Sequence, residues 1–372
     1  DTSLHGYLHA AHVESIRASA ASSSYAGTLS PHVGQEVRRL YDGEHEYSAT
    51  ELERYVRCPF RFFAEYLLHL AEPDEPEEDI PAHDKGTLLH QIFYEFYARR
   101  LREHADARIG DDEILAAYRV LAELAQGQCK DEPYTGLLWD KFCERLVGAG
   151  DDVPGLLRRF LDVEVETTRG PAACTPRHLE LGFGHQRHRQ TLDPASRGEP
   201  VAIQAGERTI RLHGVIDRID LNDETGTYCV LDYKSGSRVP SQKEIESGVS
   251  LQLPIYMLAA RDLLGKEKHF AAAGFFQTKD AANCEKKGFV GHRELGPQAI
   301  VRNWSRSFVL DDFGLGEFLR RECEMIGKAV EGIESARFAV TSLGPDVAGC
   351  GACHYKHLCR YEGITIRTLQ ER

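Results

Sequence analysis

Hydrophobic and polar positions along the chain follow two periods, which predict both strands and helices. Alternating or continuous apolar runs predict strands at residues 178–184, 201–212 (a pair), 211–221, 228–234 and 271–277. Helical spacing of apolar positions predicts helices at residues 48–58, 85–96, 250–260 and 313–334, and residues 100–170 read as helical. Residues 1–46 carry few periodic apolar positions, so we expect a linker or an edge segment there. The mixture indicates an α/β fold.

Asp232 and Lys234 lie two residues apart at the end of one apolar run. Side chains alternate faces along a strand, so this acid and this lysine point the same way. Residues 222–226 have the composition of a turn and join this strand to the preceding one, which predicts a hairpin. If the hairpin is centred on residues 224 and 225, Asp217 lies directly opposite Asp232.

Two opposed carboxylates repel each other unless a positive charge lies between them. A divalent cation would resolve this conflict, because carboxylate oxygens bind Mg²⁺ or Mn²⁺ and leave positions open for water and a phosphate oxygen. Lys234 could then orient or deprotonate an attacking water. The alternative is a surface hairpin with an incidental ion pair.

Further polar residues fall on predicted elements near these positions. His90 lies at the edge of the apolar face of its helix and is either a ligand or a hydrogen-bonded core histidine. Glu180 is either a solvated residue of an edge strand or a third carboxylate. Gln252 and Tyr256 are one helical turn apart and share a face, which suits them to contact a substrate or to support the lysine.

Cysteines cluster near the C-terminal end of the chain. Cys350 and Cys353 have the spacing at which two thiolates reach one metal centre, and Cys359 adds a third. The candidate for the fourth ligand is Cys58, which lies almost three hundred residues earlier in the chain and is followed by a proline. The alternative is zinc held by three cysteines and His354 or His357.

Composition narrows the classes of protein. The chain has 372 residues, enough for one large domain or two smaller ones, and it opens at Asp1, so we expect a processed product or a fragment of a longer protein. Ten cysteines, with no signal peptide and no apolar run able to span a bilayer, indicate a reducing cytoplasm and no membrane partner.

Charge restricts how the protein could bind nucleic acid. The net charge is −13, the wrong sign for binding phosphate over the whole surface, so any contact requires a local basic patch or a partner subunit. Candidates for such a patch, which dispersed surface charges explain equally well, are Lys279, Lys286, Lys287, Arg302 and Arg306.

The ordered set of these motifs resembles the iron–sulfur branch of the RecB-type PD-(D/E)xK nucleases. It is most similar to the AddB C-terminal nuclease domain, with the CRISPR-adaptation nucleases as smaller relatives. The resemblance covers roughly residues 45–362. The positions that carry it are Cys58-Pro59-Phe60, Gly86 with His90, Glu180, Asp217, Asp232-Tyr233-Lys234, Gln252 with Tyr256, and Cys350, Cys353 and Cys359.

The resemblance implies a restriction-endonuclease-like mixed sheet flanked by helices, with a helical insertion at about residues 100–170. The nuclease domain would span residues 47–362, with a cluster-binding segment at 350–359 and a tail at 363–372. Mg²⁺ or Mn²⁺ would be bound by His90, Glu180, Asp217 and Asp232. Lys234 would be the catalytic lysine, with Gln252 and Tyr256 completing the catalytic set. A 4Fe–4S cluster, joining the N- and C-terminal parts, would be bound by Cys58, Cys350, Cys353 and Cys359.

The function implied is that of a metal-dependent deoxyribonuclease, an exonuclease on single-stranded DNA or DNA ends, in double-strand-break repair. The resemblance also implies a helicase or nuclease partner subunit. The sequence departs from AddB-like chains, which carry a helicase-like region ahead of the nuclease, because it has no phosphate-binding loop for ATP hydrolysis. The alternatives are a catalytically silent, iron–sulfur- or zinc-stapled DNA-binding or scaffold module, or a CRISPR-adaptation-type nuclease.

Overall fold

A mixed sheet forms the centre of the computed structural model. The structure describes residues 2–18, 27–71, 80–104, 106–148, 154–185, 193–236, 238–296, 309–340, 343 and 345–359. Within these ranges eight strands pair in the order β1-β4-β5-β6-β7-β8, and β2 and β3 also pair with β4. The strands are β1 (Glu46–Ser48), β2 (Thr175–Phe183), β3 (Val201–Ala205), β4 (Arg208–Asn222), β5 (Thr227–Lys234), β6 (His269–Thr278), β7 (Cys284–His292) and β8 (Val309–Leu310). Parallel and antiparallel pairs coexist, so the predicted mixed sheet is confirmed.

Strand β4 organises the sheet. Its first half pairs with β1 and β3, and its second half pairs with β2 and β5. The apolar pattern divided these residues between two predicted runs, whereas the structure has one strand of 15 residues. The strand continues through Gly214, because β3 pairs with it up to Leu212 and β2 pairs with it from Gly214 onward.

Helices cover both faces of the sheet. They are α1 (Thr2–Ala18), α2 (Pro31–Leu40), α3 (Ala49–Arg57), α4 (Pro59–Phe62), α5 (Ala82–Glu103), α6 (Ile114–Asp131), α7 (Leu137–Val147), α8 (Leu156–Thr167), α9 (Gln242–Glu246), α10 (Gln252–Leu264), α11 (Asp312–Glu334), α12 (Pro345–Ala348) and α13 (Lys356–Cys359). A π-helical turn, Phe63–Leu67, follows α4. No helix in these ranges has the length and apolar character needed to cross a membrane.

Alternate residues of β5 pack into different hydrophobic clusters, as the strand period predicts. Tyr228 and Val230 pack with residues of α3, α10 and α11. Tyr233 packs on the other side with residues of α5, α6 and α8, of which α6 and α8 lie in the helical region predicted at residues 100–170. The sheet therefore separates the two largest apolar clusters of the described residues.

The N-terminal segment contains more regular structure than its pattern predicts. Helix α2 begins after Ser30, whose hydroxyl accepts a hydrogen bond from the backbone N–H of Val33. Only Gly34 and Val37 of this helix are buried, so its apolar face is too narrow to give a clear periodic signal. Strand β1 (Glu46–Ser48) follows this segment and lies at the end of the strand order. The interpretation of residues 1–46 as a linker or edge segment remains a prediction.

A buried ion-pair network connects the sheet to α8. Arg218 of β4 is fully buried, and its guanidinium donates to both oxygens of Glu164 at 2.8 and 2.9 Å and also to Asp220. Burial acts to raise the pKa of Glu164, but Arg218 and Lys286 outweigh it and lower that pKa to about 2. The network therefore keeps its charges in the low-dielectric interior by pairing them.

The proposed place of Lys286 in a phosphate-binding patch is wrong. Its side chain is 3% exposed, and its Nζ lies 3.1 Å from Oε1 of Glu164. The sequence pattern did not predict β7, and it is this strand that directs Lys286 inward.

Replacing Arg218 with methionine should lower the free energy of unfolding by about 3–5 kcal/mol, because Glu164 and Asp220 would lose their main partner inside the protein. Urea denaturation at pH 7, followed by circular dichroism, measures the change. Arg99→Met is the control, since Arg99 pairs with Glu103 on an exposed helix surface and should cost about 0.5 kcal/mol or less. Equal losses in the two variants would contradict the role of the network.

Candidate active site

The β4–β5 hairpin has the register that its turn predicts. Paired residues run from Asn222 with Thr227 to Arg218 with Leu231. Asp217 and Asp232 come next in this register and are 5% and 0% exposed. The backbone N–H of Tyr233 donates to Oδ2 of Asp217 at 2.9 Å. Two carboxylates are thus buried side by side at the end of the hairpin.

Three side chains from separate elements converge beside this hairpin. Nδ1 of His90, from α5, lies 3.1 Å from Oε1 of Glu180 and 3.7 Å from Oδ1 of Asp217. One ligand atom from each residue can be chosen so that all three lie within 4.8 Å of one another. Glu180 is 5% exposed, so it is not a solvated edge residue. The fold therefore assembles three of the four predicted metal ligands.

Glu180 has a left-handed backbone conformation, with φ of 52°. The residues on either side of it keep the β2–β4 register, as Leu179 pairs with Arg218 and Leu181 with Ile216. The carbonyl of Glu180 accepts a hydrogen bond from the backbone N–H of Asp193 at 3.1 Å. Such a conformation costs roughly 1–3 kcal/mol in a residue other than glycine and is concentrated at functional sites.

Lys234 is held between an acid and an amide. Its Nζ lies 2.5 Å from Oδ2 of Asp232 and donates to Oε1 of Gln252 at 2.8 Å. Nε2 of Gln252 in turn donates to the hydroxyl of Tyr256 at 3.1 Å. The one-turn spacing of Gln252 and Tyr256 thus produces a chain of polar contacts that ends at the lysine.

Burial and mutual repulsion govern the charges of the site. Burial, opposed by Lys234 and assisted by Asp217, raises the pKa of Asp232 to about 6. Burial also raises the pKa of Asp217, against the effect of His90. Burial acts to lower the pKa of His90, but Asp217, Glu180 and Asp232 outweigh this effect and raise that pKa to about 9. Without a cation the imidazole is therefore protonated at neutral pH and supplies the positive charge.

The pKa of Lys234 is also raised. Burial acts to lower it, but the carboxylates of Asp232, Asp217 and Glu53 outweigh that effect. The lysine is therefore an ammonium group at neutral pH.

The donor set fits a divalent cation of the Mg²⁺ or Mn²⁺ kind, which binds carboxylate oxygens and, for Mn²⁺, imidazole nitrogen. Apart from its ion pair with Lys234, Asp232 has no hydrogen-bond partner for either oxygen in the described part of the chain. Asp232 lies outside the group formed by His90, Glu180 and Asp217. Its buried oxygens nevertheless have free acceptor capacity, which a metal ligand requires.

The site opens into a cleft of about 690 Å³. Side chains on one face of α5 and in the loop after β5 line it beside His90, Glu180 and Lys234. Those that the sequence analysis did not single out are His83, Thr87, Gln91, Tyr94, Ser235 and Arg238. The residues from α5 could have been found, because they share a helical face with His90. The loop residues carry no comparable signal.

The four predicted cluster cysteines line a second, small pocket. Cys58 caps the end of α3, while Cys350, Cys353 and Cys359 come from the C-terminal turns. Burial, together with charge on the other three sulfurs, raises the pKa of Cys350 to about 11. The pocket thus brings together thiols from both ends of the chain.

The remaining basic candidates are placed as follows. Nζ of Lys287 donates to Oε1 of Gln277 at 2.9 Å and lies 3.0 Å from Oε1 of Glu285. Lys279 is exposed. Arg302 and Arg306 fall outside the described residues.

The sequence profile of the PD-(D/E)XK nuclease superfamily matches residues 46–360. Curated relatives include proteins named as a subunit of an ATP-dependent helicase/deoxyribonuclease. That of Desulforudis audaxviator is 31% identical over 73% of this chain and 22% of its own length. Those of Caldanaerobacter subterraneus and Clostridium tetani are each 26% identical, over 88% and 68% of this chain and 30% and 21% of their own lengths. The chain thus spans less than a third of these relatives.

Binding of Mn²⁺ should release a proton from His90 at neutral pH, because a metal ligand must be neutral imidazole and the pKa in the metal-free site is about 9. The affinity for Mn²⁺ should therefore rise from pH 7 up to about pH 9. Calorimetry in buffers with different ionisation enthalpies counts the protons released.

His90→Asn should weaken this pH dependence by about one proton, whereas His292→Asn should preserve it. His292 lies at the end of β7, where it pairs with Asp312. A wild-type affinity that is independent of pH between 7 and 9 would exclude His90 as a ligand.

Proposed function

Because the chain belongs to the PD-(D/E)XK nuclease superfamily, we propose that it is a metal-dependent deoxyribonuclease that hydrolyses DNA phosphodiester bonds. The observation that carries the proposal is the convergence of His90, Glu180 and Asp217 beside the ion pair between the buried Asp232 and Lys234. Relatives whose names include a deoxyribonuclease support DNA as the substrate.

The residues of the site have different proposed roles in hydrolysis. His90, Glu180, Asp217 and Asp232 would bind Mg²⁺ or Mn²⁺, which, when bound, stabilises negative charge on the phosphate. Lys234 lies at the edge of the cleft, where its ammonium group can orient the attacking water and stabilise charge on the phosphate oxygens. Gln252 and Tyr256 fix the position of that ammonium group.

A 4Fe–4S cluster is our proposal for the pocket of four cysteines. Cysteine thiolates are the usual ligands of such a cluster, and these four come from both ends of the chain to line one pocket. Neither His354 nor His357 lines the pocket, which disfavours the zinc alternative.

The setting we propose is the processing of DNA double-strand breaks, with exonucleolytic action on single strands or ends. The relatives' names combine a helicase with a deoxyribonuclease, which supports a helicase partner subunit. A net charge of −13 fits a nuclease that receives DNA from a larger assembly. We further propose one nuclease domain over residues 47–362, with α6 to α8 as its helical insertion.

A catalytically silent DNA-binding or scaffold module is the second candidate. The buried carboxylates disfavour it, because burial raises the pKa of both Asp217 and Asp232, and a module that binds no cation would gain nothing from burying them. A CRISPR-adaptation-type nuclease would use the same chemistry and differ in its partners.

Replacing Lys234 with alanine should reduce degradation of end-labelled single-stranded DNA by roughly 100-fold or more, because the group that orients the water is lost. The assay compares wild type and variant with Mg²⁺ or Mn²⁺ and with added chelator. Lys141→Ala is the control, since Lys141 pairs with Glu144 on the exposed surface of α7. Equal activity of the Lys234 variant and the wild type would contradict the nuclease assignment.

Anaerobically purified protein should absorb broadly in the visible blue and contain about four iron atoms per chain. Cys353→Ser should lose most of this absorption, whereas Cys143→Ser should keep it because Cys143 lies in α7, outside the pocket. A colourless protein with one equivalent of zinc would refute the cluster.

A further inference from the structure

Helix α10 begins without a capping side chain of its own. Its N-cap residue is Leu251, which has no polar group, although the first N–H groups of a helix need acceptors. Glu53 of α3 supplies the acceptor. Its Oε1 accepts hydrogen bonds from the backbone N–H groups of Leu251 at 2.7 Å and Gln252 at 3.0 Å, and from the hydroxyl of Ser250 at 3.3 Å.

The same cap fixes the residue that contacts the lysine. The backbone N–H of Gln252 donates to Glu53, while its side-chain Oε1 accepts from Nζ of Lys234 at 2.8 Å. Both the backbone and the side chain of Gln252 are therefore fixed by hydrogen bonds. Any shift of α10 along its axis would break the contacts with Glu53 and move the amide away from the lysine.

Charge strengthens the arrangement. A carboxylate is stabilised at a helix N-terminus, where the N–H groups and the helix dipole are both positive. The sequence separation of almost two hundred residues between Glu53 and α10 shows that tertiary packing, and not local sequence, provides this cap.

We propose that Glu53 is a positioning residue for Lys234, which it holds in place through the cap of α10 and the amide of Gln252. The proposal rests on the nuclease function, in which Lys234 acts on the attacking water. It also gives α3 two tasks, because this helix ends at Cys58 of the cysteine pocket.

Glu53→Ala should lower kcat on single-stranded DNA by about 10- to 100-fold with KM nearly unchanged, because a small displacement of a catalytic group is costly while the cleft stays intact. Glu53→Gln keeps a carbonyl acceptor in the same place and should retain most of the activity. Loss of kcat in the glutamine variant equal to that in the alanine variant would contradict the capping role.

Glu51→Ala is the matched control in the same helix. It removes the capping-box partner of Ser48 and the ion pair with His45. Among the described residues, Glu51 forms no hydrogen bond with α10. If Glu53 acted only by stabilising α3, both variants would lose activity in proportion to their loss of stability, and the proposal would fail.

A double-mutant cycle tests the route through Gln252. Adding Glu53→Ala to Gln252→Ala should cost little further activity, since both changes interrupt one connection. Independent, multiplying losses would overturn the proposal.

A second readout does not depend on catalysis. The rate at which an amine-reactive reagent modifies Lys234, measured by mass spectrometry against Lys141, should rise in Glu53→Ala and stay constant in Glu51→Ala. An unchanged rate would overturn the positioning role. Inactivity of the wild-type chain would contradict the nuclease function, whereas the labelling rate still reports on the position of the lysine.

Discussion

Two carboxylates buried side by side on one hairpin are the constraint that the surrounding structure has to meet. Like charges in a low-dielectric interior repel strongly, and burial disfavours each of them separately. Positive groups from both faces of the sheet compensate these charges. His90 of α5 lies on one side, and Lys234, which donates to Gln252 of α10, lies on the other. Both helical layers are therefore needed to complete the charge balance of one strand pair.

Helix α3 connects parts of the molecule that lie far apart in sequence. Glu53 caps α10, Cys58 closes the helix at the cysteine pocket, and the hydroxyl of Tyr55 donates to the carbonyl of Arg337 after α11 at 2.7 Å. A nine-residue helix thus contacts the support of the lysine, the cysteine pocket and the end of the longest helix described. Its capping box at Ser48 fixes where it starts, so these contacts share one reference point.

Local chemistry explains what the sequence could predict. The turn before β5 determined the hairpin register, and the capping box together with the proline after Cys58 determined both ends of α3. What could not be predicted depends on tertiary contacts. Lys286 looks like a surface lysine until β7 places it against Glu164. The left-handed backbone of Glu180 leaves no sequence signal, because non-glycine residues adopt it only where surrounding contacts enforce it.

The site is divided between elements that are held by different kinds of interaction. Glu180 and Asp217 belong to strands held by backbone hydrogen bonds, whereas His90 reaches them from a helix that is attached to the sheet by side-chain packing. The ligand set is therefore complete only while the buried face of α5 is packed on the sheet. Loss of that packing would take the imidazole away and leave the carboxylates together.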